Sequence, residues 1–360
     1  MGENSMKKIL QLGSAFIGVI VGAGFASGQE ILQYFTSFGL LGIIGAVIAS
    51  ALFAYLGMVL MQIGSRMQTT SHRDAIYKIS GRYLGVVIDY IIIFTLFGVG
   101  VVMIAGAGSN LNQQFEFPYF VGTSLMTILV LIAGMAKVNR FVAIIGSITP
   151  FLILIVIILS IYSVLSMDNT FTNLNSIAME QPTTLPNWFI SAINYVSFNI
   201  AVGASMSLVM GGAQRNEKTA ALGGLVGGLG IGVLIILSHL AIFSKIDLVQ
   251  GYEMPMLQLA NQVSPALGFF MAIVLFGMIF NTAASMFFSF GARFVEIGTP
   301  KFKAFLVVTL VIAYLLSFFG FTDLVSYFYP LIGYLGLFLI GALIIASVRI
   351  HKLEKETERQ

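Results

Sequence analysis

Val21-Gly22-Ala23-Gly24-Phe25-Ala26-Ser27-Gly28-Gln29-Glu30 lies inside the first long apolar run of the chain, Ile9 to Phe38. Hydrophobicity alone predicts one membrane-crossing helix there. Three glycines within seven residues argue against it, because each costs a helix roughly 1 kcal/mol relative to Ala. In hydrocarbon an unpaired backbone amide or carbonyl costs more still, so irregular backbone persists only where protein or a cavity covers it. The stretch therefore predicts a break, with backbone groups free to meet a ligand. Glycines in membrane helices also serve close packing against a neighbour; the clustering here, and a second stretch like it later in the chain, favour the break.

The surrounding chain has the composition of a polytopic membrane protein. Of 360 residues 58% are hydrophobic and only 9% charged, too few charges to coat a soluble core of this size. The absence of cysteine excludes disulfides, thiolate catalysis and cysteine metal sites. His72, His239 and His351 follow no metal-ligand spacing. Ten apolar segments, each near the roughly 20 residues a bilayer helix needs, cover 9–38, 39–64, 83–109, 118–136, 141–166, 187–212, 218–243, 261–291, 302–319 and 324–348. Lys7-Lys8 before the first segment and Ala26-Ser27-Gly28 within it also resemble a secretory leader, a reading the later interrupted segment disfavours.

The basic residues orient these segments. Lys7, Lys8, Arg66, Arg73, Lys78, Arg82, Lys137, Arg140, Arg215, Lys218, Arg293, Lys301, Lys303, Arg349, Lys352, Lys355 and Arg359 fall on one side of a ten-span arrangement, and only Lys245 on the other. The positive-inside rule then places both termini in the cytoplasm of a cell bounded by this membrane. The basic pI is thus a topology signal and does not point to nucleic acid. Segments 6 to 10 begin 178 to 184 residues after segments 1 to 5. An odd number of spans per half makes this an inverted repeat. It divides the chain into a first half at 1–166, an outer connecting loop at 167–186, a second half at 187–348 and a charged tail at 349–360. Segment 6, the equivalent of segment 1, is expected to be discontinuous around Ser197-Phe198-Asn199-Ile200-Ala201-Val202-Gly203-Ala204-Ser205. Paired interruptions point to a midplane substrate site.

This pattern resembles the LeuT-type fold of the amino acid–polyamine–organocation superfamily, through Gly22-Ala23-Gly24 and the five-plus-five arrangement. Gly22 to Glu30 is similar, more narrowly, to the YkvI family of bacterial membrane proteins. The resemblance implies a substrate held between breaks in segments 1 and 6, flanked by segments 3 and 8, with alternating access as helix groups rock. The amides of Ala23, Gly24 and Phe25 would then face a substrate carboxylate, and carbonyls at Val21, Gly22, Ser197 and Phe198 an ammonium or a cation. It also implies sodium held by adjacent polar residues of segment 8, for which Asn281, Thr282 and Ser285 are candidates beside backbone oxygens of Gly22 and Phe25. An all-oxygen set suits a hard cation; Thr and Ser equally bond back to their own helix. Some proton-coupled relatives place a lysine of segment 5 at the sodium position, and Phe141 to Ser166 holds no Lys, Arg or His.

Other polar residues at membrane depth have two readings each. Glu30 lies some eight residues inside the outer end of segment 1, roughly 12 Å along a helix. Such a carboxylate is a functional candidate: a proton carrier in an apolar site, an ionised outer gate in a wet vestibule. Asp89 is an inner-gate or structural ion-pair candidate. His239 is read as a polar cap with a pH-sensing alternative, Trp188 as an interfacial anchor, and Pro330 as a kink. Asn194, Tyr195, Ser197, Phe198 and Asn199 surround the expected second break, the hydroxyl and amide groups to bond solute and the rings to gate it. Met103, with Gly98, Gly100 and the small run Ala105-Gly106-Ala107-Gly108, belongs to a part of segment 3 whose small residues leave room for a side chain or allow tight packing.

Together these features predict a secondary transporter of the cytoplasmic membrane for an amino acid or related small organic solute, coupled to sodium or, through Glu30, to protons. A nutrient sensor using the same pocket is the alternative. No Walker-type glycine loop supports ATP-driven transport, no convergent acid–base set supports an enzyme, and no charge ring supports a channel. No cofactor is expected besides the coupling ion.

Overall fold

The computed structural model describes residues 3–69, 72–135 and 149–357; the expected start of segment 5 (141–148) and Lys137, Arg140 and Arg359 lie outside them. The first apolar run is in pieces. Helix α1 (Glu3–Ile20) closes its last bond from Val21 N to Ile17 O (2.7 Å), and Gly22 N then turns back to Ile20 O (2.9 Å). Two short helices follow, α2 (Ala23–Ser27) and α3 (Gln29–Tyr34). Gly28 joins them at φ 84°, ψ −8°, a left-handed conformation that suits a residue without Cβ.

The chain continues through α4 (Leu41–Met67), α5 (His72–Phe115, bent at Gly81), α6 (Tyr119–Met135), α7 (Thr149–Leu165) and the short α8 (Phe171–Met179). Then come α9 (Trp188–Gly212), α10 (Glu217–Ser244), α11 (Pro255–Val263), α12 (Pro265–Ala292), α13 (Pro300–Ser317) and α14 (Tyr329–Thr357). Among the described residues seven helices are long and apolar enough to cross a membrane, and Tyr119–Met135 and Pro150–Leu165 are shorter apolar helices. Helix starts are set by local chemistry. Ser264 caps α12 by accepting from Leu267 N (3.1 Å), with Pro265 in the first turn, where its missing N–H costs nothing. The segment expected at 261–291 is thereby split, and α11 is a separate element.

The expected discontinuity in segment 6 is not there: α9 runs unbroken from Trp188 to Gly212. Its central stretch has one glycine, and its polar side chains bond back to the helix rather than opening it. Asn199 Nδ2 donates to Tyr195 O (3.0 Å) and Ser207 Oγ to Gly203 O (2.8 Å). Gly203 serves packing, since a Cβ there would strike Ile20 at the end of α1.

The helices pack in two groups. Helices α1, α4, α9 and α10 form one; α5, α6, α12 and α13 form the other. Helix α14 spans between them by touching α9 and α5, and α2 leaves the first group to reach α12. The α4–α10 seam is the tightest. A Cβ at Gly224 would collide with the Gly57 carbonyl, and one at Gly228 with that of Phe53. Backbone-to-backbone approach of this kind is how membrane helices associate where apolar burial gives no driving force.

Candidate functional site

Gly22 leaves the helix in an extended conformation (φ −93°, ψ −171°). The amides of Ala23, Gly24 and Phe25 belong to the first turn of α2 and so have no acceptor within that helix. The carbonyls of Gly22 and Phe25 each hold one donor, Ala26 N (3.1 Å) and Gly28 N (3.0 Å). All five residues of α2 are buried. A Cβ on Gly22 would come within 3.8 Å of Thr282 Oγ1 on α12, so the break lies beside Thr282. Asn281 Oδ1 is buried without a protein partner, and Asn281, Thr282 and Ser285 are all half-buried.

Glu30 points back at the break. Only 5% exposed, it accepts a hydrogen bond from Tyr195 OH at Oε2 (3.1 Å), while Oε1 lies against Gly24 where a side chain would otherwise be. Gly24 is therefore needed for the space it leaves this carboxylate. The Tyr195 ring is fixed by Tyr34 (centroids 4.9 Å apart), Phe35 (5.1 Å) and Phe53 (6.1 Å), which aims its hydroxyl.

A second network ties α9 to α14. Asn194 accepts from Tyr34 OH (3.3 Å) and donates to Pro330 O (3.0 Å). Ser197 Oγ donates to Gly333 O (2.6 Å), and Phe198 stacks on Tyr329 (4.1 Å, 23°). A π-turn at Leu324–Phe328 precedes Pro330. Proline has no N–H for the carbonyl of Ser326, four residues back, and Thr184 Oγ1 donates to it instead (2.5 Å). Ser197 and Asn199 thus spend their donors on protein. Met103 is buried in α5.

Asp89 lies apart from this site. It pairs with Arg293 between α5 and α12, inside one helix group. His239 Nδ1 bonds Thr36 Oγ1 (3.1 Å) where the first run turns into α4, in the buried interior rather than at a cap. Sequence reading missed Tyr34, Arg293 and the acceptor carbonyls of Pro330 and Gly333. Pro330 was the one available signal for a freed carbonyl.

No protein-family model matches the chain. Two proteins of Bacillus subtilis (strain 168) are similar along nearly their whole lengths. The uncharacterized membrane protein YkvI is 27% identical over 95% of this chain and 97% of its own. The uncharacterized protein YyaD is 26% identical over 92% and 95%. Among solved structures, MhsT in complex with L-phenylalanine superposes with a TM-score of 0.66 (17% identity; 94% of this chain, 88% of that one). Mhp1 in an inward-facing conformation gives 0.56 (15%; 94% and 75%), and the Eremococcus coleocola manganese transporter 0.58 (16%; 97% and 80%). All three share their fold with this chain. The chain is accordingly similar to YkvI along nearly its whole length and shares the LeuT-type fold of these solved structures.

Proposed function

We propose that this chain is a secondary active transporter of the cytoplasmic membrane that moves an amino acid or related small organic solute by alternating access. In this reading ten crossings form two inverted halves, 1–166 and 187–348, joined by an outer loop at 167–186, with both termini in the cytoplasm. The observation that carries it is the break at Val21 and Gly22, at the junction of the two helix groups with Glu30 and Tyr195 bonded beside it. Irregular backbone at such depth marks a ligand pathway.

Sodium is the proposed coupling ion. Gly22 adjoins the Thr282 hydroxyl, and Asn281 Oδ1 has no protein partner. With the carbonyls of Gly22 and Phe25 and the hydroxyl of Ser285, these make an uncharged oxygen set of the kind hard cations prefer. The second reading, proton coupling, is favoured by the burial of Glu30 with no basic partner among the described residues. Liposome uptake of labelled amino acids separates the two. Stimulation by an inward sodium gradient, lost in Thr282→Ala, supports sodium. Full uptake without sodium, abolished by Glu30→Gln, overturns it in favour of protons. Solute-independent thermal stability and no uptake of any amino acid would sink the transporter reading itself.

A further inference from the structure

We infer that Glu30 is a specificity-determining residue: its carboxylate occupies the anion position at the helix break, so the site selects solutes by an ammonium group and rejects a solute carboxylate there. The inference rests on the transporter reading and deepens it.

Glu30 Oε1 already fills the space beside Gly24. Like charges in contact exclude one another, the more so away from water. One oxygen is held by Tyr195, and among the described residues no other protein donor reaches the carboxylate. The ion pairs found are Arg66–Glu217, Lys245–Asp168 and Arg293–Asp89, none involving Glu30. A buried carboxylate without a basic partner is a place for an incoming cation. Two buried side-chain oxygens without partners lie on elements beside the break, Gln29 Oε1 on α3 and Asn281 Oδ1 on α12. Tyr195 is a positioning residue that holds Oε2 and turns Oε1 toward Gly24.

The test is equilibrium binding to the purified full chain, without ion gradients, using three probe sets. These are amino acids, the same molecules lacking the carboxylate (primary amines), and the same molecules lacking the amine (carboxylic acids). Amines should bind at least as tightly as their parent amino acids, and acids should not bind. Glu30→Gln should weaken amine binding on the order of ten- to a hundredfold, the range of one charge-assisted hydrogen bond, and should admit acids. Glu30→Asp, which keeps the charge on a shorter arm, controls for misfolding and should retain part of the amine affinity. Binding of amino acids and acids but not amines overturns the inference and leaves the transporter reading standing, as does an unchanged amine affinity in Glu30→Gln. Binding of none of the three sets overturns both.

Discussion

The first apolar run and α9 both enter the buried centre with small residues, yet only the first is broken. The difference lies in what fills the space each glycine leaves. At Gly24 the filler is a carboxylate from six residues along the same run, reachable because the backbone leaves the helix at Gly22 and reverses hand at Gly28. At Gly203 the filler is Ile20 from another helix, and α9 keeps its own bonds. Clustering alone does not decide the outcome, since α10 carries Gly223, Gly224, Gly227 and Gly228 and stays unbroken against α4.

Four substitutions would break or sharpen that contrast. The largest effect is expected from Gly24→Leu, which cannot coexist with Glu30 in its present place. Overpacking should cost about 1–3 kcal/mol, and solute binding should vanish while the protein still inserts; unchanged binding would refute the site. Tyr195→Phe comes next. It strips the one donor from Glu30 Oε2, and an unpaired buried acceptor costs about 1–3 kcal/mol, visible as a lower unfolding temperature in detergent. Gly22→Ala should be milder. Its conformation is open to Ala and the added methyl meets only Thr282 Oγ1, at ordinary contact distance. Stability should shift by no more than about 0.5 kcal/mol, while the sodium concentration for half-maximal uptake rises. Smallest of all is Gly203→Ala in the unbroken helix. A helix-propensity gain of up to about 1 kcal/mol is set against displacement of the flexible Ile20 tip, and solute binding should not change. A large loss of binding there would mean that α9 contributes backbone to the site after all.

Much of this architecture was legible in composition and spacing. Long apolar runs announce a membrane protein because lipid demands them, and clustered Gly22, Gly24 and Gly28 announced a break because helices resist glycine. The matching break in α9 was read from a stretch with a lone Gly, whose cost of roughly 1 kcal/mol does not break a packed helix, and the Asn199 and Ser207 side chains bond to carbonyls of the same helix. The partner of Asp89 could not be read, since Arg293 is 204 residues away and only the packing of α5 on α12 joins them. The same holds for the carbonyls of Pro330 and Gly333. Every residue has a carbonyl, so sequence marks none as an acceptor unless a proline nearby withdraws its donor.

The double segmentation of the first run has a consequence for its motion. Helices of five and six residues, as α2 and α3 are, are far below the length at which a helix holds itself together in isolation. Their order is lent by Tyr195, Met256 and α12, which press on them from outside. Their amides should therefore exchange with solvent deuterium sooner than those of α4 or α10, through local opening rather than global unfolding. A solute seated at the break would register first as slowed exchange across residues 23–34, before any other part of the molecule responds.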